Sequence, residues 1–261
     1  MTSAQTMLWR ALRVIAAASA VGAILTGCTR DRDALVAPRV LLAPYDTSQG
    51  EVLWAVAPLR NESGTTEAEK GAVSDKVVAA VEQTEGLRCL PLNRTLEAMR
   101  ALKIERVTTP AQVKQLAQAM GVDGILVGSI TSYDPYTPSI GIALALYARP
   151  GSMERWNGRQ INPTVLEVQP TEKPAAVRSN FPEGPASVYS VSLDAKSHQV
   201  QMELREYGRG RVREDSALGW KRYMASMDLY TEFAAYHAVD GLLQSEWVRL
   251  TRERGEVRTS R

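Results

Sequence analysis

The sequence predicts an α/β chain: a mixed central sheet flanked by helices and closed by a long carboxy-terminal helix. Three observations predict it. Short apolar runs bounded by glycine and proline, such as Val52–Ala57 and Gly124–Tyr133, have the length and punctuation of strands. Between them lie segments whose apolar residues recur at helical intervals. Beyond Leu218 one long stretch keeps that interval through Leu229, Phe233, Tyr236, Leu243, Trp247 and Leu250.

Taken in order, Gly50 and Pro58 bound the first strand, in "EVLWAVAP". The polar turn "NESGTT" follows, with Thr65 or Thr66 as cap of a helix carrying Val73, Val77, Val78 and Val81 inward. Gly86 ends that helix and "LRCLPL" reads as a short strand. Asn93 is read as the N-cap of a helix that buries Leu96, Met99 and Leu102. In "TTPAQVKQLAQAMGVDG", Thr109 caps, Pro110 takes the first helical position and Gln112 completes a capping box. Val113, Leu116, Ala117 and Met120 form the apolar face, and Gly121 terminates it.

"GILVGSITSY" and "SIGIALALY" then read as paired strands joined by the turn "DPYTP". The second is apolar at nearly every position and is expected to be a covered core strand. Residues 149–186 hold six of the thirteen prolines and are expected to form an irregular insertion. "SVYSVSLDA" resumes as a strand, and a helix follows from Ser197 as cap, with Val200, Leu204, Tyr207 and Arg211 in step. The final stretch is one long helix or two broken near Gly241, and residues 251–261 are expected to fray.

The amino terminus carries a different kind of signal. Arg10 and Arg13 precede an uncharged run from Val14 to Thr26, about 13 residues, shorter than the roughly 20 that cross a bilayer as a helix. It ends at Leu25-Thr26-Gly27-Cys28, which resembles the lipobox of bacterial lipoproteins. The resemblance implies cleavage between Gly27 and Cys28 and a diacylglycerol on the Cys28 thiol. It further implies a lipid-anchored protein, with Thr29 at the second position directing it to the outer membrane, periplasmic face. Anchors with two or more acyl chains hold stably, at about 0.8 kcal/mol per buried methylene. Residues 1–27 are therefore read as signal peptide, 28–50 as a lipidated tether that docks through "VLLAP", and 51–250 as one α/β domain.

Loss of residues 1–27 removes two arginines and no acid, so the net charge falls from +2 to zero. A neutral chain offers no electrostatic reason to bind nucleic acid. Cys89 is left as a lone thiol, and no cysteine–histidine cluster has zinc-ligand spacing. No cofactor or metal is expected.

The order strand, helix, strand, helix, helix, strand, strand, together with "WAVAPLRNESGTT" and "GVDGILVGSI", is similar to an α/β domain of several envelope proteins. These are the curli-export lipoprotein family CsgG, the amino-terminal domain of TolB (an anticodon-binding-like fold) and the LpoB-type activators of peptidoglycan synthases. The likeness covers about Glu51 to Tyr147, and it implies a non-catalytic protein that binds or organises another envelope component. A secretion-pore subunit in the CsgG manner, or an assembly factor, is the alternative. Against the pore, residues 149–186 lack the 9–11-residue alternating stretches of membrane strands.

Bland readings account for most candidate sites. His198 and His237 stand outside any nucleophile elbow. Gly121, Gly124 and Gly128 do not have dinucleotide spacing, and Asp215, Asp228 and Asp240 are isolated carboxylates. The exception is the turn carrying Tyr133, Asp134, Pro135 and Tyr136, because aromatic rings bring large contact area at little entropic cost. The expected partners are the bilayer, through acylated Cys28, and an envelope protein, through this turn; a second copy of the chain is a further candidate. Replacing Cys28 with alanine is expected to move the protein out of the membrane fraction into a soluble or unprocessed form, read by fractionation and intact mass.

Overall fold

The computed structural model describes residues 36–48, 50–149, 153, 184–213 and 216–259, with side chains given to 253. The lipobox with Gly27 and Cys28, Asp215 and nearly all of the proline-rich stretch lie outside these residues. One compact unit begins at Pro38.

Strand β1 (Val52–Val56) lies between two parallel neighbours, β3 (Leu87–Leu90) and β4 (Gly124–Asp134). A two-residue strand, β2 (Arg60–Asn61), continues the line of β1 along β4. Antiparallel β5 (Ser139–Ala148) and β6 (Ser187–Asp194) complete the order β3-β1-β4-β5-β6. Between β1 and β3 runs helix α1 (Lys70–Glu82); between β3 and β4 run α2 (Leu92–Ala101) and α3 (Pro110–Met120). The two parallel crossovers travel in opposite directions across the sheet. Right-handed connection therefore puts α1 on one face and α2 with α3 on the other.

The α1 face is the larger core. Trp54, Val56, Leu126, Ile130, Ile140, Ile142, Leu144 and Leu146 project into it. Helix α4 (His198–Gly208), the short α5 (Arg222–Ala225) and α6 (Met227–Thr259) close it together with α1. From Leu229 to Thr251 every residue of α6 is buried or half-buried. Covered on every side, α6 sits inside the protein, between sheet, α1 and α4.

The second face is covered at one end only. Helices α2 and α3 bring Met99, Val113, Leu116 and Ala117 onto Ala55, Ala57 and Ile125. Toward β5 and β6 nothing described covers the sheet. The expectation of a strand covered on both faces is therefore corrected for β5. Its large residues, Ile140, Ile142, Leu144 and Leu146, are buried, whereas Ala143, Ala145 and Tyr147 opposite are only half-buried. The alternation in "IGIALALY" is one of size, not of polarity.

Several helix ends differ from their expected places. Helix α3 has its capping box, Thr109 Oγ1 accepting from Gln112 N, and Gly121 follows at φ +68°. Helix α1 starts at Lys70 without a threonine cap, because Asn61 ties the preceding turn: its Nδ2 donates to the carbonyls of Thr65 and Ala68. Helix α2 starts at Leu92, with Pro91 rather than Asn93 at the cap. Ser197 precedes α4 but makes no capping hydrogen bond. Helix α6 extends past Leu250 to Thr259, with Arg249 Nη1 bonded one turn on to Glu253 at 2.9 Å.

Part of the segment read as tether packs on this body. Leu41 and Tyr45 are buried, and Ala43 N donates to Glu85 O while Glu85 N donates to Leu41 O. Arg39 pairs with Asp240 at 3.1 Å, and the Arg39 carbonyl accepts from Arg211 Nη2 and Tyr236 Oη. Tyr45 Oη donates to Glu246 Oε1 at 3.1 Å.

Helix α6 is unbroken at Gly241. The residue leaves a notch there that the Tyr189 ring of β6 fills: a Cβ would stand 2.1 Å from Tyr189 Cζ. Gly→Ala inside a free helix gains about 1 kcal/mol. Here the clash outweighs that gain, since overpacking a filled site costs about 1–3 kcal/mol. Gly241→Ala should therefore lower the melting temperature. Adding Tyr189→Ala should recover part of the loss, giving a non-additive double-mutant cycle in thermal unfolding.

Candidate functional site

Strands β4 and β5 form a hairpin whose tip is the turn singled out in the sequence. The pairing runs Ile130↔Ile142 and then Ser132↔Gly141, so Thr131 is an extra residue on β4. Such a bulge shifts the side-chain alternation by one. Gly141 makes room for it, because a Cβ there would lie 2.2 Å from Thr131 Oγ1. The shift places Tyr133 opposite Ile140, on the core face, where its ring packs at the margin of the larger core. Burial, with Glu67 and Asp228 nearby, raises the Tyr133 hydroxyl above the usual tyrosine range.

The tip itself is tightly made. Asp134 Oδ1 accepts hydrogen bonds from Tyr136 N at 2.9 Å and Thr137 N at 3.2 Å. Pro135 between them sets its own φ near −65°. The backbone is thus held by a side chain and a ring, and Tyr136 is left 87% exposed, the most exposed of the large apolar or aromatic side chains among the described residues. The four residues read together in the sequence are divided by role. Tyr136 points outward, Asp134 and Pro135 shape the turn, and Tyr133 belongs to the packing.

A second feature, absent from the sequence reading, lies on the half-open sheet face. A cleft of about 380 Å3 is bounded by Val107 and Val113 on the α3 side, Val127, Ala145 and Tyr147 on the floor, and Val188 at the far rim. Arg60 is a charged side chain in its lining, paired with Glu62 at 3.1 Å. The sequence reading missed this cleft, and the one signal in the sequence is the size alternation of β5.

The remaining polar groups are structural. His237 Nε2 lies 3.0 Å from Glu203 Oε2, linking α6 to α4, and its ring meets Phe233 edge-on. His198 is exposed at the start of α4. Asp228 pairs with Lys76 and Asp240 with Arg39. Cys89 is buried, and that burial, with Glu82 nearby, pushes its thiol up to about 12, far from a reactive thiolate at neutral pH. Among the described residues no group of three His, Cys, Asp or Glu could hold a metal ion, and no helix is long and apolar enough to cross a membrane.

No protein-family model matches this sequence, and no curated protein is similar to it. Solved structures are similar to it in part. The LpoB carboxy-terminal domain from Salmonella enterica is 10% identical with a TM-score of 0.34, over 43% of this chain and 77% of that one. Lipoprotein GNA1162 from Neisseria meningitidis is 16% identical at 0.35, over 58% and 89%. The hypothetical protein CT253 from Chlamydia trachomatis is 9% identical at 0.37, over 74% and 98%.

The split between the two tyrosines is open to measurement. Tyr133→Ala should destabilise the body by about 1–3 kcal/mol through lost packing. Tyr136→Ala should change stability by less than about 0.5 kcal/mol. Thermal unfolding of the two variants side by side reads the difference.

Proposed function

We infer that this chain is a non-catalytic lipoprotein of the bacterial envelope, held by an acylated Cys28 at the periplasmic face of the outer membrane. It binds another envelope protein through the β4–β5 hairpin tip. The observation that carries the binding role is Tyr136: a large aromatic ring, almost fully exposed, on a turn that Asp134 and Pro135 hold in one shape. A rigid anchor of this kind loses little entropy when it enters a partner's pocket. The anchoring role rests on the basic, apolar and Leu-Thr-Gly-Cys order of residues 10–28. About ten residues separate Cys28 from Pro38, where the compact unit begins, and an extended chain of that length reaches at most about 35 Å. A partner held by this body would therefore be met close to the bilayer.

The test is photo-crosslinking in intact cells, with a photoreactive phenylalanine derivative in place of Tyr136 and, as control, in place of exposed Thr131. A discrete envelope protein captured at 136 and not at 131 is the expected result. Tyr136→Ala should then reduce recovery of that protein from membranes without changing the abundance of this chain. Equal capture at both positions, or unchanged recovery by Tyr136→Ala, would show that the hairpin tip is not the contact.

A further inference from the structure

The sheet has two edges, and they are finished differently. At the β3 edge, Glu82 Oε2 accepts the Cys89 N–H at 2.6 Å and the backbone of Leu41–Ala43 bonds to Glu85 just before the strand. That edge is closed. Along β6 the register with β5 and the bond from Ala195 N to Pro138 O place the inward-bonding residues at 187, 189, 191 and 193. Val188, Ser190 and Ser192 consequently turn their N–H and C=O groups away from the sheet, and no described residue pairs with them.

Edge strands of this length are usually protected by lysine, proline or a bulge. The stretch "SVYSVSL" has none of these and carries no charge. All three outward residues are exposed, Val188 at 60%.

We propose that β6 is a self-association edge, pairing antiparallel with β6 of a second copy of this chain about a two-fold axis at Ser190. A two-fold interface requires one strand to complement itself, and this strand does. With Ser190 opposite Ser190, Val188 falls opposite Ser192 in both directions. Each outward N–H then meets an outward carbonyl, and the two open sheet faces join into one surface. Tyr189 falls opposite Val191 on the other side, an aromatic and β-branched pair of the favourable kind. The one charge in the strand, Asp194, lies at its end and falls opposite Ala186, so the two copies set no like charges against each other. The proposal is independent of the hairpin's role and of the lipid anchor.

The test uses the full chain purified in detergent, with particle mass from light scattering corrected for bound detergent. The wild type should show twice the monomer mass. Ser190→Pro removes an outward N–H and no bond to β5, a change an edge strand tolerates; it should halve the mass and leave the melting temperature within a few degrees. Two cysteine variants test the register even if the proline variant fails to fold. Ser190→Cys should give a disulfide-linked dimer on mild oxidation, since cross-axis Cα atoms roughly 5.5 Å apart suit the bond. Ser192→Cys should not exceed wild-type background, because its thiols would be separated by four residues of strand, roughly 13 Å. A monomeric wild type, a folded proline variant that stays dimeric, equal crosslinking at 190 and 192, or crosslinking of 190 to a different polypeptide would each overturn the proposal.

Discussion

A single carboxylate ties the three parts of this fold together. Glu246, on the buried helix α6, has no exposed surface, yet it is fully provided with partners. Arg249 one turn on reaches it with two nitrogens, Tyr45 of the amino-terminal segment donates to one oxygen and Ser187 at the start of β6 donates to the other. A buried charge is tolerable only when paired and hydrogen-bonded, and removing one partner of such a pair costs about 3–5 kcal/mol. The cluster adds little net stability compared with a well-packed apolar equivalent. What it adds is position, because one helix, one strand and the entering chain can satisfy it only in this arrangement.

The same helix explains why the molecule is one-sided. With α6, α1 and α4 on one face, the sheet has a complete core there and needs no second full layer. Helices α2 and α3 cover the other face only above β3, β1 and the first half of β4. Among the described residues, the β5–β6 end carries small side chains, a cleft and a strand edge without a neighbour. Tyr136 at the hairpin tip and Val188 on β6 are the large side chains exposed at this end of the sheet. The Arg211 guanidinium, stacked on Tyr207 at 4.2 Å and Tyr236 at 4.8 Å, seals the remaining corner where Arg39 enters.

Much of this was legible in residue order. The β1, β3, β4, β5 and β6 strands and the α3 capping box follow from periodicity and turn chemistry, which act over a few residues. The misplaced starts of α1 and α2 have separate causes: Asn61 Nδ2 holds the Thr65 and Ala68 carbonyls in the turn before α1, and Pro91, with its fixed φ and no N–H to satisfy, sets the start of α2 ahead of Asn93. Gly241 looked like a break because glycine weakens helices. It is a contact, made by a ring from a strand some fifty residues earlier. The bulge at Thr131 left no local mark either, since its partner Gly141 is across the hairpin.

Sequence alone determined what is local: the alternation of strands and helices, and the capping and turn chemistry between them. These depend on neighbours along the chain, whose geometry is set by bond lengths and torsions. Tertiary structure decided which tyrosine of the turn faces water and, among the described residues, which sheet face is half-covered and which edge has no neighbouring strand. Those outcomes depend on what distant segments bring into contact, and no short-range pattern records that.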